Sequence, residues 1–443
     1  MSPAPADPKR NPAAPWYHSA WIIFAVAFTL RAALIFNFHL YRYASQPHYH
    51  FQFGWEEGRV ASAVASGHGF SNPFYGQTGP TAWVTPLYSY LMAGVFRVFG
   101  IYSDTSALVM LLLNALFGAL VIFPMHSIAA RCFSRKVAVA SIWTWAVWPF
   151  AMYYVAQPRD TSLTALLFTC TIALTLRIRA SQSLNLSPWI LLGLLWGALA
   201  LSDSTLLLVL PPSILWLLAP KWRTPQFRFV FLRATLTCLL VIACMAPWMI
   251  RNTLVFHTFI PIRTDFGAEL YLGNGPGSNG TLMIWKHPYD SPRQYALYRS
   301  MGEVAYCHMR GREAMAFIRS HPAHFFADTF RRVFYFWFGQ PHPQQSDFLL
   351  YLPTINLAFF SVSGLLGLLL ALRNRSPGTT LIALAFFFFP LTYYAVVVSQ
   401  RFLFQLTPLL YILTLYLWTS AEEGYRVRML SPRWWRTRFA SQT

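Results

Sequence analysis

Acidic side chains are scarce in this sequence of 443 residues, which has 15 Asp and Glu against 34 Lys and Arg. Charged residues of both signs make up only 11% of the chain and hydrophobic residues 56%, whereas about a quarter of a soluble domain is charged. This composition excludes an ordinary soluble domain and indicates an integral membrane protein. The basic residues are scattered over the connections and form no single stripe, so the net charge of +19 does not predict nucleic-acid binding.

Cysteine is scarce as well, and of the five cysteines only Cys307 lies in a long polar segment. A single cysteine cannot form an internal disulfide there, and no spacing of cysteine and histidine typical of a metal site is present. His48 and His50 precede two glutamates and leave a metal site at that point as an alternative to solvated loop histidines.

Apolar runs close to the length of about 20 residues that crosses a bilayer recur along the chain. The first run is too long for a signal peptide and has no small-residue cleavage site after it, so we expect it to be retained. The pattern predicts an all-α polytopic membrane protein with about ten spans. These spans are residues 19–40, 106–130, 137–155, 161–178, 188–202, 205–219, 232–250, 351–372, 378–398 and 402–419.

Lysine and arginine concentrate in alternate connections between these spans, as they do on the cytoplasmic side of membrane proteins. The pattern predicts cytoplasmic N- and C-termini in the inner (plasma) membrane of a bacterium, with the two long connections in the periplasm or an equivalent space. We divide the chain into five parts. They are an N-terminal tail (1–18), a transmembrane region with the first outer loop at 41–103 (19–250), an outer-loop subdomain (251–350), C-terminal transmembrane helices (351–419) and a basic tail (420–443).

The first outer loop contains two adjacent carboxylates, Glu56 and Glu57, at the predicted start of a helix that ends near Gly67. A second, aromatic-rich helix from Pro86 to Gly100 is too short to span and fits an interfacial position. Carboxylates at this surface can take a proton from an acceptor hydroxyl, bind a cation, or only cap the helix. Asp160, at the outer end of the fourth span, is a second active-site acid, a cation ligand or a partner of its neighbouring arginine.

Further short motifs follow in a fixed order after this acidic pair. They are Arg59-x-Ala61, Gly67-x-Gly69, Pro86-Leu-Tyr-x-Tyr-Leu, Arg251-Asn252, Gly273-Asn274, His321-Pro322 and Gln400-Arg401-Phe402. Their order resembles the GT-C superfamily of membrane glycosyltransferases over nearly the whole chain. The resemblance is greatest to the bacterial family 39-like group, which is related to the protein O-mannosyltransferases and the lipid A aminoarabinose transferase.

The resemblance implies a GT-C-like helix bundle with interfacial helices in the first outer loop and a small, mostly helical outer subdomain. It also implies an enzyme, a glycosyltransferase that moves a hexose or pentose from a polyprenyl-phosphate sugar donor to a protein, lipid or glycan acceptor outside the membrane. In this family the acid that opens the first loop is the general base, and Glu56 occupies that position, with Glu57 and Asp160 as further catalytic candidates. No cofactor is required, and a divalent cation is compatible with the reaction.

The leaving lipid phosphate needs cations, and an arginine can bind it through two parallel hydrogen bonds. The cations on the outer side are Arg59, Arg251, Arg263, Lys286 and Arg401, and the candidates for phosphate binding are Arg401, Arg59, Arg251 and Lys286. Arg401 lies at the outer end of the last span. The alternative role for its side chain is to extend to the membrane interface without binding the phosphate. The aminoarabinose transferases have a lysine before the first-loop helix, and residues 81–86 here contain none.

Two other classes of protein remain as alternatives, a polytopic transporter or lipid flippase of cell-envelope glycan assembly and a non-catalytic membrane assembly protein. The chain lacks clear repeated halves and has a long outer loop, and both features argue against a transporter.

Overall fold

The structure is a computed structural model that describes residues 15–43, 53–181, 185–340 and 352–430. Within these ranges it is built from α-helices and short 3₁₀ helices, with one isolated bridge between Ser71 and Pro80 and no β-sheet. The predicted all-α fold is therefore confirmed. His48 and His50, proposed above as an alternative metal site, lie outside the described residues.

The helices are labelled in chain order. They are α1 (Ala20–Asn37), α2 (Trp55–Ala65), α3 (Pro86–Phe99), α4 (Asp104–Leu120), α5 (Ile122–Cys132), α6 (Arg135–Val147), α7 (Pro149–Met152), α8 (Thr161–Ala180), α9 (Ser187–Ser202), α10 (Leu210–Leu218), α11 (Phe227–Phe256), α12 (Phe266–Gly273), α13 (Pro292–Met301), α14 (Glu303–Ser320), α15 (Pro322–Phe338), α16 (Leu352–Arg373), α17 (Thr379–Phe388), α18 (Leu391–Ala395) and α19 (Thr407–Leu430).

Seven segments of the described chain are long and apolar enough to cross a membrane. They are Ala20–Asn37, Asp104–Cys132, Thr161–Ala180, Ser204–Lys221, Phe227–Phe256, Leu352–Arg373 and Gln400–Gly424. The other three predicted spans are also helical but shorter, in α6, α9 and the pair α17–α18. The protein is thus a multi-pass membrane protein.

The centre of the bundle is α8, which contacts α4, α5, α9 and the 3₁₀ segment Gln400–Leu406. Around it, α16 packs along α19, with Gly367 so close that an added Cβ would lie 2.2 Å from the carbonyl oxygen of Leu413. Small residues allow such close helix contact where lipid surrounds the bundle.

Arg31 lies inside the first span and is fully buried. Its guanidinium donates to the carbonyl oxygens of Ala27 (3.1 Å), Ala146 (3.2 Å) and Trp145 (3.0 Å). The last two belong to the end of α6, where carbonyl groups lack partners within the helix. The costly intramembrane charge therefore connects α1 to α6, as expected for an arginine that faces protein instead of lipid.

The first loop forms the two predicted helices, α2 and α3, which pack on each other. Gly58 allows the chain that leads into α2 to pass close to the first turn of this helix. An added Cβ there would lie 1.9 Å from the carbonyl oxygen of Phe53. Only glycine fits this position. As a result, the segment that precedes α2 lies directly against the first turn of the helix, which carries both glutamates.

Helices α12 to α15 form the predicted helical subdomain, and Glu303 at the start of α14 connects it to the first loop. The buried carboxylate accepts hydrogen bonds from the amide of Ala82 (2.7 Å) and the hydroxyls of Thr264 (2.5 Å), Tyr298 (2.7 Å) and Thr81. Burial raises the pKa of Glu303 despite these four donors. Three separate segments therefore depend on one side chain.

We expect Glu303→Ala to destabilise the contact between the first loop and the subdomain by about 3–5 kcal/mol, because four buried donors lose their acceptor. Hydrogen–deuterium exchange at Ala82 and its neighbours should become faster by roughly 10²-fold or more. Glu313→Ala is the matched control, since Glu313 lies on the same helix with its side chain 46% exposed. Equal exchange in the two variants would contradict this role for Glu303.

Candidate active site

Glu57 lies beside Asp160, although the two residues are far apart in the sequence. The backbone N–H of Asp160 lies close enough to the Glu57 carboxylate to oppose the rise in its pKa. The preceding Arg159 places its guanidinium 3.5 Å from the ring centroid of Trp55, the first residue of α2. This cation–π contact fixes the segment before α8 against the start of α2.

The environment of Glu57 and Asp160 favours their neutral forms. Burial raises the pKa of Glu57 to about 7, with Glu56 adding to the shift while Arg159 and Arg263 oppose it. Burial also raises the pKa of Asp160 well above its usual range, and the charges of Glu57 and Asp203 add to that shift. Perturbed pKa values of this kind concentrate at functional sites.

Asp203 is a third acid at this place, at the end of α9. Its carboxylate accepts from the amide (3.1 Å) and the hydroxyl (2.6 Å) of Thr205, and the hydroxyl of Tyr393 lies 3.3 Å away. The Tyr393 ring stacks on Phe402 with centroids 4.2 Å apart. Asp203 lies in a polar turn between two short apolar segments of the sequence, and its contact with Tyr393 depends on the packing of distant helices.

Arg263 is a second cation, besides Arg159, whose charge reaches Glu57 and Asp160. Its Nε donates to the carbonyl oxygen of Trp83 (3.0 Å), and its guanidinium pairs with Asp265. Glu269 lies one helical turn after Asp265. Burial raises the pKa of Asp265 to about 6 and that of Glu269 to about 8.

Sequence reasoning missed Asp265 and Glu269 as site residues and included Arg263 only among the outer cations. The signal available was the i, i+4 spacing of two acids on one helix face in a chain where acids are rare. No motif accompanied that spacing.

Glu56 contacts the helical subdomain through His287. Its Oε1 lies 3.9 Å from Nε2 of His287, which is 6% exposed. The imidazole is enclosed by Phe74 and Trp83, whose ring centroids lie 5.6 and 5.8 Å from that of His287. The charge of Glu56 still reaches Glu269 and raises its pKa, so the two environments are contiguous.

Two of the predicted phosphate ligands have their guanidinium groups occupied by structural contacts. Arg251 lies within α11 and donates to the carbonyl oxygens of Thr81 (2.7 Å) and Phe70 (2.7 Å). Arg59 is 8% exposed, with its guanidinium 3.6 Å from the ring centroid of Tyr75. We therefore do not assign either arginine to the donor phosphate.

The other two predicted ligands are more accessible. Lys286 donates to the carbonyl oxygen of Pro276 (2.7 Å) and lies 5.2 Å from the ring centroid of Tyr271. Arg401 is partly exposed in the 3₁₀ segment Gln400–Leu406, directly before the Phe402 ring that stacks on Tyr393. Of the four candidates, Arg401 is connected most directly to the acid cluster.

Comparison with known proteins gives a family match for part of the chain. The model of the family described as dolichyl-phosphate-mannose-protein mannosyltransferase matches residues 83–249. That segment includes α3, α4, α8 and Asp160. Among curated proteins, none matches the sequence.

Solved structures share the fold at low sequence identity. The oligosaccharyltransferase AglB of Archaeoglobus fulgidus, in complex with an inhibitory peptide and a dolichol-phosphate, is 12% identical with a TM-score of 0.54 over 94% of this chain. Its apo form is 14% identical with a TM-score of 0.53 over 93% of this chain. The chain spans about half of these proteins, 52% of each.

ArnT of Cupriavidus metallidurans bound to undecaprenyl phosphate is 12% identical, with a TM-score of 0.41 over 92% of this chain and 79% of its own. The chain therefore shares the fold of the AglB structures, and its residues 83–249 match the dolichyl-phosphate-mannose-protein mannosyltransferase family.

Proposed function

We propose that the protein is a membrane glycosyltransferase that moves a sugar from a polyprenyl-phosphate donor to an acceptor hydroxyl on the outer face of the membrane. One observation carries the proposal. Asp160 lies within reach of the charges of Glu57, Asp203 and Arg263, so that four separate segments bring acids and a cation to one site. Such a combination suits a reaction in which a proton is removed from one group and an anion leaves from another.

The proposed step uses these groups as follows. The acceptor oxygen attacks the anomeric carbon and forms the new C–O bond, while its proton passes to the Glu56 carboxylate. The bond from the anomeric carbon to the donor phosphate oxygen breaks, and the polyprenyl phosphate leaves with the electron pair. Arg401 and Arg263 are the cations proposed to bind that phosphate.

A narrow apolar groove next to Gln400 is in keeping with a lipid-linked donor. Its volume is about 40 Å³, and it lies between α7, α16 and the Gln400–Leu406 segment. The lining is mostly aromatic and aliphatic: Phe150, Tyr153, Tyr154, Pro353, Asn356, Leu357, Phe360, Gln400, Leu403, Phe404, Thr407, Leu410 and Tyr411. An isoprenoid next to a phosphate needs such an apolar wall with a polar end.

A divalent cation is compatible with the proposal. In the described part of the chain, no three His, Cys, Asp or Glu side chains are grouped so that they could hold a metal ion.

The test uses purified protein in liposomes with dolichyl-phosphate-[¹⁴C]mannose, the donor type in the name of the matching family. Carbohydrate and hydroxyl-peptide acceptors are added, and products are separated by chromatography and identified by mass spectrometry. We expect release of dolichyl phosphate together with a labelled product. No turnover of this donor or of undecaprenyl-phosphate sugars with any acceptor would contradict the proposal.

Donor affinity should depend on the protonation of Glu57. Its pKa of about 7 reflects burial, with Arg159, Arg263 and Glu56 as its charged neighbours. As the pH rises through that value, Glu57 gains a negative charge that repels the donor phosphate. We expect the donor Kd to increase by about threefold to tenfold between about pH 6 and about pH 8.

The measurement is equilibrium binding of the labelled donor in nanodiscs across this pH range. Glu57→Gln should remove most of the pH dependence, and Glu313→Gln, at an exposed site, should leave it intact. The same pH dependence in Glu57→Gln as in the unchanged protein would assign it to other groups.

A further inference from the structure

The Glu56–His287 pair has a geometry that the acid cluster does not share. Nδ1 of His287 accepts a hydrogen bond from the amide of Tyr289 (3.1 Å). A neutral imidazole has one N–H donor and one acceptor nitrogen, so the proton is on Nε2. That N–H faces the Glu56 carboxylate.

The distance between the two side chains leaves space for one atom of a substrate. Nε2 and Oε1 are 3.9 Å apart, beyond the range of a direct hydrogen bond. An oxygen about 2.7–2.8 Å from both atoms would subtend an angle of about 90°, close to the arrangement around a hydroxyl oxygen. The side chain of Glu56 is 20% exposed, which leaves one side of the pair accessible.

We propose, resting on the function above, that His287 is a catalytic residue that holds the acceptor hydroxyl together with Glu56. Nε2–H donates to the hydroxyl oxygen, and the O–H of that group donates to Glu56, which takes the proton as the new glycosidic bond forms. No other reactant is needed, because the leaving phosphate takes the electron pair of the bond that breaks.

This pair offers one donor and one acceptor, and that combination decides which acceptors fit. An alcohol matches it, because its oxygen accepts and donates at once. An ammonium group and the nitrogen of an amide donate only, so they leave the His287 N–H without a partner. A mismatch of this kind, with a buried polar group unpaired, discriminates strongly between substrates.

The surroundings favour a carbohydrate as the carrier of that hydroxyl. Tyr289, two residues after His287, lies 5.3 Å from Tyr75 between ring centroids, and Tyr75 is 39% exposed. Arg59 covers one face of the Tyr75 ring at 3.6 Å. A fixed, partly exposed aromatic pair beside the reacting group provides a surface on which a sugar ring can pack.

The histidine itself is held in the neutral state by its environment. Burial lowers the pKa of His287, and the charges of Glu56 and Asp290 only partly oppose the shift. A neutral donor suits this position, because a charged imidazolium would pair directly with Glu56 and close the space between them.

The kinetic test compares His287→Leu, His287→Gln and a control, His308→Leu, with octyl mannoside or a threonine-containing hexapeptide as acceptor. His308 lies exposed on α14. With dolichyl-phosphate-[¹⁴C]mannose as donor, His287→Leu should lower kcat for octyl mannoside by about 10–100-fold and raise its KM, with donor Kd unchanged. His287→Gln retains an N–H donor and should recover part of the rate.

Unchanged transfer in His287→Leu, or an equal loss of donor binding, would overturn the assignment. Transfer to the peptide with none to octyl mannoside would overturn the proposal that the acceptor is a carbohydrate.

The protonation state of His287 can also be measured without turnover, by solid-state ¹⁵N NMR of histidine-labelled protein. The His287→Gln variant assigns the signal. We expect a neutral ring protonated on Nε2 at about pH 7. A proton on Nδ1 or a charged ring would contradict the proposed contact of His287 with an acceptor hydroxyl. Because this measurement needs no sugar donor, its result does not depend on the proposed transferase function.

Discussion

Replacement of Glu56 by Gln should lower the rate of sugar transfer by about 10²–10⁴-fold, the usual contribution of a positioned general base. Glutamine keeps the size of the side chain and some of its hydrogen bonding, but it cannot take the acceptor proton. Donor binding should survive, because the phosphate contacts proposed here belong to other residues. Loss of sugar transfer with intact donor binding would be the result expected for an enzyme, and not for a transporter or an assembly protein.

The experiment measures binding and transfer separately, with the purified variant in lipid and the same radiolabelled donor. Glu313→Gln is the control for an exposed glutamate on the outer subdomain. Near-normal transfer by Glu56→Gln would remove this residue from the mechanism, and Glu57 or Asp160 would become the leading candidate for the base. A loss of donor binding equal to the loss of transfer would indicate a structural defect instead.

The two neighbouring glutamates illustrate what helix geometry predicts and what it leaves open. Successive residues of an α-helix point about 100° apart, so the sequence predicts that Glu56 and Glu57 face different surroundings. The sequence makes Glu57 a further catalytic candidate after Glu56, and the structure places it beside Asp160, with a pKa raised to about 7. The identity of the surface that each side chain meets depends on α8 and the outer subdomain, which are distant in the chain.

The spans and the helices of both outer segments could be predicted because each rests on a local signal. Long apolar runs predict the bundle, and helical spacing with Gly67 predicts α2. The short motif at Gly273 has a structural reason that no local pattern reveals. A Cβ added there would lie 1.7 Å from the carbonyl oxygen of Val396, so the end of α12 packs directly on the segment before Arg401.

The roles of the arginines could not be predicted from the sequence. Sequence position makes Arg251, Arg59 and Arg401 all candidates for the donor phosphate, since each is a cation predicted to lie near an outer membrane surface. Their use depends on which carbonyl groups and rings the fold brings to them. Arg251 has two carbonyl acceptors and Arg59 has an aromatic face, and neither environment can be inferred before the loops are packed.

Arg401 is held in position by the segment that precedes it. Arg332, fully buried in α15, donates to the carbonyl oxygens of Tyr394 and Ala395 (3.2 Å each), and Gln340 donates to that of Val398 (2.6 Å). These contacts fix the conformation of the irregular segment between α18 and the Gln400–Leu406 segment. The Arg401 guanidinium lies 5.0 Å from the ring centroid of Phe402, and the preceding residue, Gln400, lines the groove.

Arg401→Ala should therefore weaken donor binding by about 10–100-fold, because a hydrogen bond to a charged group contributes about 1.5–3 kcal/mol. Arg401→Lys should recover only part of that affinity, since an ammonium cannot form the two parallel bonds of a guanidinium. The rate at saturating donor should change much less than in Glu56→Gln, which is the reverse of the signature of a base. Arg312→Ala, an exposed arginine on α14, is the matched control. Unchanged donor Kd in Arg401→Ala would assign the phosphate to Arg263 or Lys286, and the side chain of Arg401 would then serve only at the membrane interface.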